Sequence, residues 1–399
     1  MTRAALGDSH NFGRRVTLRG KRVHKPRALL WEWLVLCRES PLRGLLAELA
    51  ERDGLGPDTF AFLPSLRFYP ARDQGFQEVE AVALEPLRAR SQSSRRALAE
   101  ITGRALALFS WLGVADLHWE NLVLGSDPRG HVVFAPLDVE MILSDLSLPT
   151  ETKLLPDADP EYAAVCQHAC GVRRVLPYLG KPVAPADLVA MLAAYHAVLA
   201  LLERHSRELA RVFAELPELG STPIRVCLRG TDEYVLARSS QDLWPPLLDA
   251  EAEQLARGDI PYFFRLYGQK RIYHYADPEL TRLAHLPARG DVPRLEPLLS
   301  VARGLRSPNR EKLRTEGLFS VLGAFDHPAF TGQTHEQAGL EVAFRPRGLR
   351  LTLPSGEQLE SRRNLSAYVS SVYQPCRCGE VRSVFVPAVT RCNESGRAP

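Results

Sequence analysis

The 399-residue chain has little net charge, few cysteines and no repeat or stretch of biased composition, and each shortage removes a class of protein. A formal charge of +3 leaves no electrostatic surplus for a dedicated nucleic-acid binder. The cysteines number seven, an odd count with no Cys-x-x-Cys pair, which fits reduced thiols better than a disulfide framework. Cys166-x-His168-x-Cys170 and Cys376-x-Cys378 with Cys392 offer metal-binding side chains, but not at the spacing of a structural zinc site. Cys37 and Cys227 stand among apolar neighbours and are expected in the core. No apolar run approaches the length that spans a bilayer, and the opening Met-Thr-Arg-Ala-Ala-Leu-Gly-Asp lacks the apolar centre of a signal peptide. The expectation is a cytoplasmic protein without a membrane span.

What is present is an ordinary globular balance, 45% apolar and 24% charged, over a length sufficient for two or three packed units. The most informative stretch runs from Ala115 to Glu140. It sets Asp116, His118 and Asn121 in one short loop, then two apolar runs, Leu122–Leu124 and Val132–Phe134, about a Pro128-Arg129-Gly130 turn, then Asp138. Phosphoryl transfer uses an Asp that accepts the acceptor's hydroxyl proton, with an Asn and a second Asp on metal. The kinase catalytic loop places its Asn five residues after its Asp, as Asn121 follows Asp116. A hairpin would return Asp138 beside Asn121. Taken singly, Asp116, Asn121 and His118 also read as turn formers and a satisfied surface histidine.

Residues 14–25 alternate around Gly20-Lys21 as a hairpin ending in Lys25-Pro26-Arg27, preceded by the turn-rich Gly7–Gly13. Two helices are expected over 29–52, the second starting at Pro41, with extended chain over 62–83 and a helix over 93–112 leading to Asp116. Residues 187–216 read as one buried helix. Beyond the Gly220–Pro223 break, 224–234 read as a strand that either presents Arg225 and Thr231 to a site or lies at an edge with solvated arginines. Gly258–Phe263 reads as a helix stop with aromatic residues. Residues 340–353 and 358–373 look β-rich, and the last dozen look like a tail.

In this order the segments resemble the dehydratase domain of class II (LanM-type) lanthipeptide synthetases, from about residue 7 to 265. Gly7-Asp8-Ser9-His10-Asn11-Phe12-Gly13 is similar to that family's S-D-x-H-x-G-G segment, Lys25-Pro26-Arg27 to its Y-K-P-R, and Asp116–Asn121 to its D-x-H-x-E-N. Asp138-Val139-Glu140 is similar to its D-L-E, Arg225–Thr231 to its R-x-x-x-R-x-T, and Gly258–Phe263 to its G-D-I-P-Y-F.

The resemblance implies an α+β, bilobal lipid-kinase/protein-kinase-like fold. Its small β-rich N-lobe would cover 1–90 with the phosphate-binding hairpin, and its larger, mainly helical C-lobe 91–335 with the catalytic loop and elimination motif. A β-rich C-terminal extension and tail would cover 336–399. It further implies ATP and Mg2+ as cofactors and a ribosomal precursor peptide as partner. Ser and Thr of that peptide would be phosphorylated, then lose phosphate to give dehydroalanine or dehydrobutyrine. Lys25 is expected to hold the nucleotide phosphates, Asn121 and Asp138 the magnesium, and Asp116 the attacking hydroxyl, with His118 also catalytic. Arg225 with Thr231 would receive the departing phosphate, and Asp8 and His10 belong to the same elimination site. The base that takes the α-proton is left open.

Family members carry a long region before the first motif, whereas Asp8 here lies seven residues from Met1. The chain is thus either minimal or truncated, and a leader-binding region is expected to be missing. The family's zinc cyclase is expected to be missing too, so ring closure would fall to a separate enzyme. Two other readings stay open: a kinase that stops at the phosphate, and a silent scaffold for the precursor peptide. Arg225 and Thr231 argue against the first, and Lys25, Asn121 and Asp138 against the second.

Overall fold

Alternation over residues 14–25 produces β2 (Arg14–Arg19) and β3 (Arg22–His24), antiparallel across Gly20-Lys21, after β1 (Ala4–His10). The computed structural model describes residues 4–70, 75–87, 91–146, 148–156, 170–180, 182–239, 247–287, 308–362 and 390–392. It is mixed helix and sheet, 42% helical and 23% strand, as an α+β chain should be.

After β3 come α1 (Leu30–Leu36) and α2 (Pro41–Arg52), separated where Ser40 accepts from the Arg43 amide and Pro41 takes the first helical position. β4 (Phe68–Pro70) and β5 (Phe76–Glu80) complete a five-stranded sheet in the order β1-β2-β3-β5-β4. The buried face of α1 carries Trp31, Leu34, Val35 and Leu36, and also Glu32, which is 1% exposed.

α3 (Gln92–Leu112) starts at a Ser91 cap and ends at Gly113 in the left-handed region, φ +64°, against the Ser144 backbone. Two residues later the chain enters the Asp116 loop, then β6 (Leu122–Ser126) and β7 (Val132–Pro136), the hairpin expected from the two apolar runs.

The helix expected over 187–216 is instead two. A single-turn α4 (Leu176–Leu179) precedes α5 (Pro185–Arg204) and α6 (Ser206–Ala214), which part at His205. Its ring nitrogens lie 3.1 Å from Asp53 at the end of α2 and 2.9 Å from Glu208, so the chain turns there onto α2. α5 crosses α3 at Gly103, where a Cβ would stand 2.0 Å from the Met191 carbonyl oxygen. By length and composition alone α5 could cross a membrane, but 67% of that stretch is buried in the fold, as in the core helix of a globular protein, so it speaks neither for nor against a span.

β8 (Pro223–Val226) is the edge of a second sheet, ordered β11-β10-β9-β8. The strand expected over 224–234 stops at Val226, because β9 offers partners only from Phe263 to Leu266. Thr231 opens α7 (Thr231–Ser239), followed by α8 (Asp249–Ala256), β9 (Phe263–Leu266), β10 (Tyr273–Tyr275) and β11 (Leu283–His285).

α9 (Pro308–Phe325) lies on α5, and so do the first strands of a third sheet. That sheet is β12 (Thr334–Gln337), β13 (Leu340–Arg345), β14 (Gly348–Thr352), β15 (Gln358–Arg362) and β16 (Thr390–Cys392), in sequence order. β12 straddles residue 336, where the C-terminal extension was expected to begin. Residues 363–373 lie outside the described residues, as do Cys166, His168, Cys376 and Cys378. β16 pairs with β15, so part of the expected tail is sheet. Among the described residues no group of three or more His, Cys, Asp or Glu is placed to hold a metal. Cys37 is buried as expected, whereas Cys227 is half-buried beside the polar centre described next.

Candidate functional site

Six ionised side chains from four segments form one connected cluster. Lys25, immediately after β3, is 6% exposed; its Nζ donates to Glu32 Oε1 and the Leu137 carbonyl, each at 3.0 Å, and lies 3.6 Å from Asp138 Oδ2. Arg27 donates to Glu32, to Asp138 Oδ1 at 2.5 Å and to Glu140 Oε2 at 3.0 Å. Arg225 on β8 bonds the other oxygen of Glu140. The Tyr262 hydroxyl reaches Glu140 Oε2 at 3.4 Å, and the Arg225 guanidinium lies 5.4 Å from the Tyr262 ring centre. Lys25, Arg27 and Arg225 thus balance Glu32, Asp138 and Glu140. Burying charges is costly unless every one is paired, and here each is.

Burial works to raise the Asp138 carboxyl, but the charges of Arg27 and Lys25 outweigh it and hold the group well below the carboxylate range. Glu32 moves the other way: burial pushes it up against the same two cations. At 30% side-chain exposure, against 1% for Glu32, Asp138 is the carboxylate of the two within reach of a ligand.

The Asp116 loop forms a second set. Asp116 itself has φ +63°, an uncommon conformation outside glycine that Asp, like Asn, tolerates better than most residues. The Asn121 amide holds it by donating to the Asp116 carbonyl at 2.9 Å and to Oδ2 at 3.3 Å, and Lys153 Nζ donates to Oδ1 at 3.1 Å. The hairpin brings Asp138 back as expected in the backbone, where the Leu137 amide donates to the Asn121 carbonyl at 2.7 Å. The Asn121 and Asp138 side chains, however, take different partners. His118 uses Nδ1 to cap its own turn, accepting from the Glu120 amide at 3.4 Å. That is a turn-capping role.

His10, at the end of β1, lies against the first cluster. Its Nδ1 is 2.7 Å from the Ile260 carbonyl and its ring centre 5.7 Å from that of Tyr262. Burial, then Arg225, lowers its pKa, opposed by Ile260, Glu140 and Asp8. A carbonyl only accepts, so Nδ1 carries the proton and the lone pair falls on Nε2. Asp8 is exposed and acts on His10 through its charge. Thr231 is exposed at the start of α7, and among the described residues no hydrogen bond joins it to Arg225. The Cys227 thiol, pushed up by burial, feels Arg225, Asp116, Glu140 and Lys153. Both sets of residues therefore lie within electrostatic reach of one sulfur.

Of the expected residues, Lys25, Asp138, Arg225 and His10 are brought together, and Asp116 with Asn121. Arg27, Glu32, Glu140, Lys153 and Tyr262 were missed as site residues. Glu32 had a signal, a single carboxylate within the apolar Leu-Trp-Glu-Trp-Leu-Val-Leu of α1. Glu140 did too, on the same side of an extended chain as Asp138. Compared with known proteins, the chain matches no family model and no curated sequence.

Proposed function

We propose that the chain is an ATP-dependent Ser/Thr dehydratase of the lanthipeptide type, built on a bilobal kinase-like fold. The observation that carries it is Glu140, whose carboxylate joins Arg27, next to Lys25 and Asp138, to Arg225, next to His10 and Tyr262. Two cation sets held on one carboxylate suit two consecutive steps on one phosphate. The kinase-like reading is supported by Lys25, which follows a strand of an antiparallel sheet and pairs with Glu32 on the next helix. Kinases place a lysine and a glutamate this way.

In the first step Lys25 and Arg27 hold the phosphates of ATP, and Asp116 orients the peptide hydroxyl and accepts its proton. Asn121, whose nitrogen is engaged, keeps its side-chain oxygen for a ligand, and Asp138 is an ionised, accessible carboxylate. These two oxygens fit magnesium, which prefers one or two such groups alongside phosphates and water and would supply neutralising charge. In the second step His10 Nε2 removes the α-proton, the electron pair forms the Cα–Cβ double bond, and the Cβ–O bond breaks. The phosphate leaves toward Arg225. A kinase that stops at the phosphate has no use for His10 beside Arg225.

Mass spectrometry of the precursor peptide incubated with the chain, ATP and Mg2+ tests this. The expected product is lighter by one water per modified residue. Stable phosphopeptide without dehydration would replace this reading with a simple kinase.

A further inference from the structure

The turn after β1 is held in an unusual way. Asn11, Phe12 and Gly13 all have positive φ, at 49°, 68° and 77°. For Asn11 and Phe12 that conformation is unfavourable, so something must hold it. The holder is Asp259, which is 0% exposed and distant in sequence. Its Oδ2 accepts from the Phe12 amide at 2.8 Å, and its Oδ1 from the Gly13 amide and the Ser9 hydroxyl, each at 2.9 Å. The next residue completes a two-way link: the Ile260 amide donates to the Ser9 carbonyl at 2.9 Å, and His10 Nδ1 donates to the Ile260 carbonyl at 2.7 Å. Arg257 closes the far side, 4.1 Å from the Phe12 ring centre and 3.8 Å from Asp259 Oδ2.

We infer that Asp259 is a positioning residue for the elimination step, acting through His10. By fixing the left-handed turn it sets the register between residues 9–10 and Ile260, and so the tautomer and direction of the imidazole. Two residues further on, Tyr262 touches Glu140, so the same short segment aligns the base with the Arg225 side of the cluster. Asparagine would not substitute, because its amide nitrogen would face a backbone N–H where Asp259 presents an oxygen. Phosphoryl transfer, served by Lys25, Arg27 and Asp116, does not depend on this turn. The inference rests on the dehydratase reading for its consequence, though not for its geometry.

The test compares wild type, Asp259→Asn and the milder Ser9→Ala, which removes one of the three bonds. Nitrogen NMR of the histidine rings reads the His10 tautomer without any substrate, and mass spectrometry of the precursor and its phosphoserine form reads the two steps apart. The expected result is loss of the single Nδ1–H signature in Asp259→Asn, with a partial effect in Ser9→Ala. Elimination should slow by on the order of a hundredfold, as for a misplaced catalytic group, while phosphorylation changes little. An unchanged His10 signature, or equal slowing of both steps, overturns the inference. If wild type dehydrates nothing, the dehydratase reading falls, and the histidine spectrum still upholds or overturns the role of Asp259 in setting His10.

Discussion

Glu140 and Arg225 are joined twice: the carboxylate accepts from the guanidinium, and the Glu140 carbonyl accepts the Arg225 amide at 2.8 Å. The main-chain bond fixes where β8 meets the chain after β7, and the side-chain bond fixes where the guanidinium points. Substituting the side chain should therefore leave the strand in place and alter only the site.

If the proposed dehydratase reading holds, Arg225→Ala should keep phosphoryl transfer and lose the contact to the departing phosphate. Elimination should slow by on the order of a hundredfold, comparable to removing one transition-state donor. Phosphopeptide accumulating in a time course checks it, and equal loss of both steps would contradict it.

Glu32→Ala should act on stability first. It leaves Lys25 and Arg27 without their shared buried carboxylate, and breaking a buried ion pair from one side costs about 3–5 kcal/mol. Urea unfolding measures that cost, and a loss below about 1 kcal/mol would place the pair with weak surface bridges.

His10 gives a pH dependence. Its folded pKa is lowered, so as pH falls through the ordinary histidine value of about 6.5 the unfolded chain takes up a proton that the native chain refuses. Stability should fall in that window, and less so in His10→Gln. The acid limb of the elimination rate should likewise lie below about pH 6.5, since the imidazole stays neutral there.

Gly103→Ala should damage the helical core, because its Cβ would meet the Met191 carbonyl at 2.0 Å. Separating α3 from α5 should cost roughly 1–3 kcal/mol or more, seen as a lower melting temperature. An unchanged melting temperature would mean the helices part easily.

The local pieces were legible because their patterns are local. The β2–β3 and β6–β7 hairpins follow from alternation about short turns, and α3 from its apolar spacing. What the sequence hid are pairings between distant segments. Glu140 meets Arg225 across 85 residues, Lys153 meets Asp116 across 37, and Asp259 meets Phe12 across 247. Thr231 was misread as strand because the length of β8 is set by β9, not by its own alternation. The break at His205 has the same origin, since Asp53 lies on another helix.

The balance of Lys25, Arg27 and Arg225 against Glu32, Asp138 and Glu140 makes ligand binding an exchange of partners rather than the filling of an empty positive pocket. A phosphate chain that captures the cations releases carboxylates into a poorly hydrated space, where each unpaired charge is strongly unfavourable. A phosphate chain that carries its own divalent cation returns a partner to them. On the proposed reading the site should therefore discriminate between metal-chelated and bare nucleotide far more sharply than its three cations would suggest, and bare inorganic anions should bind it poorly.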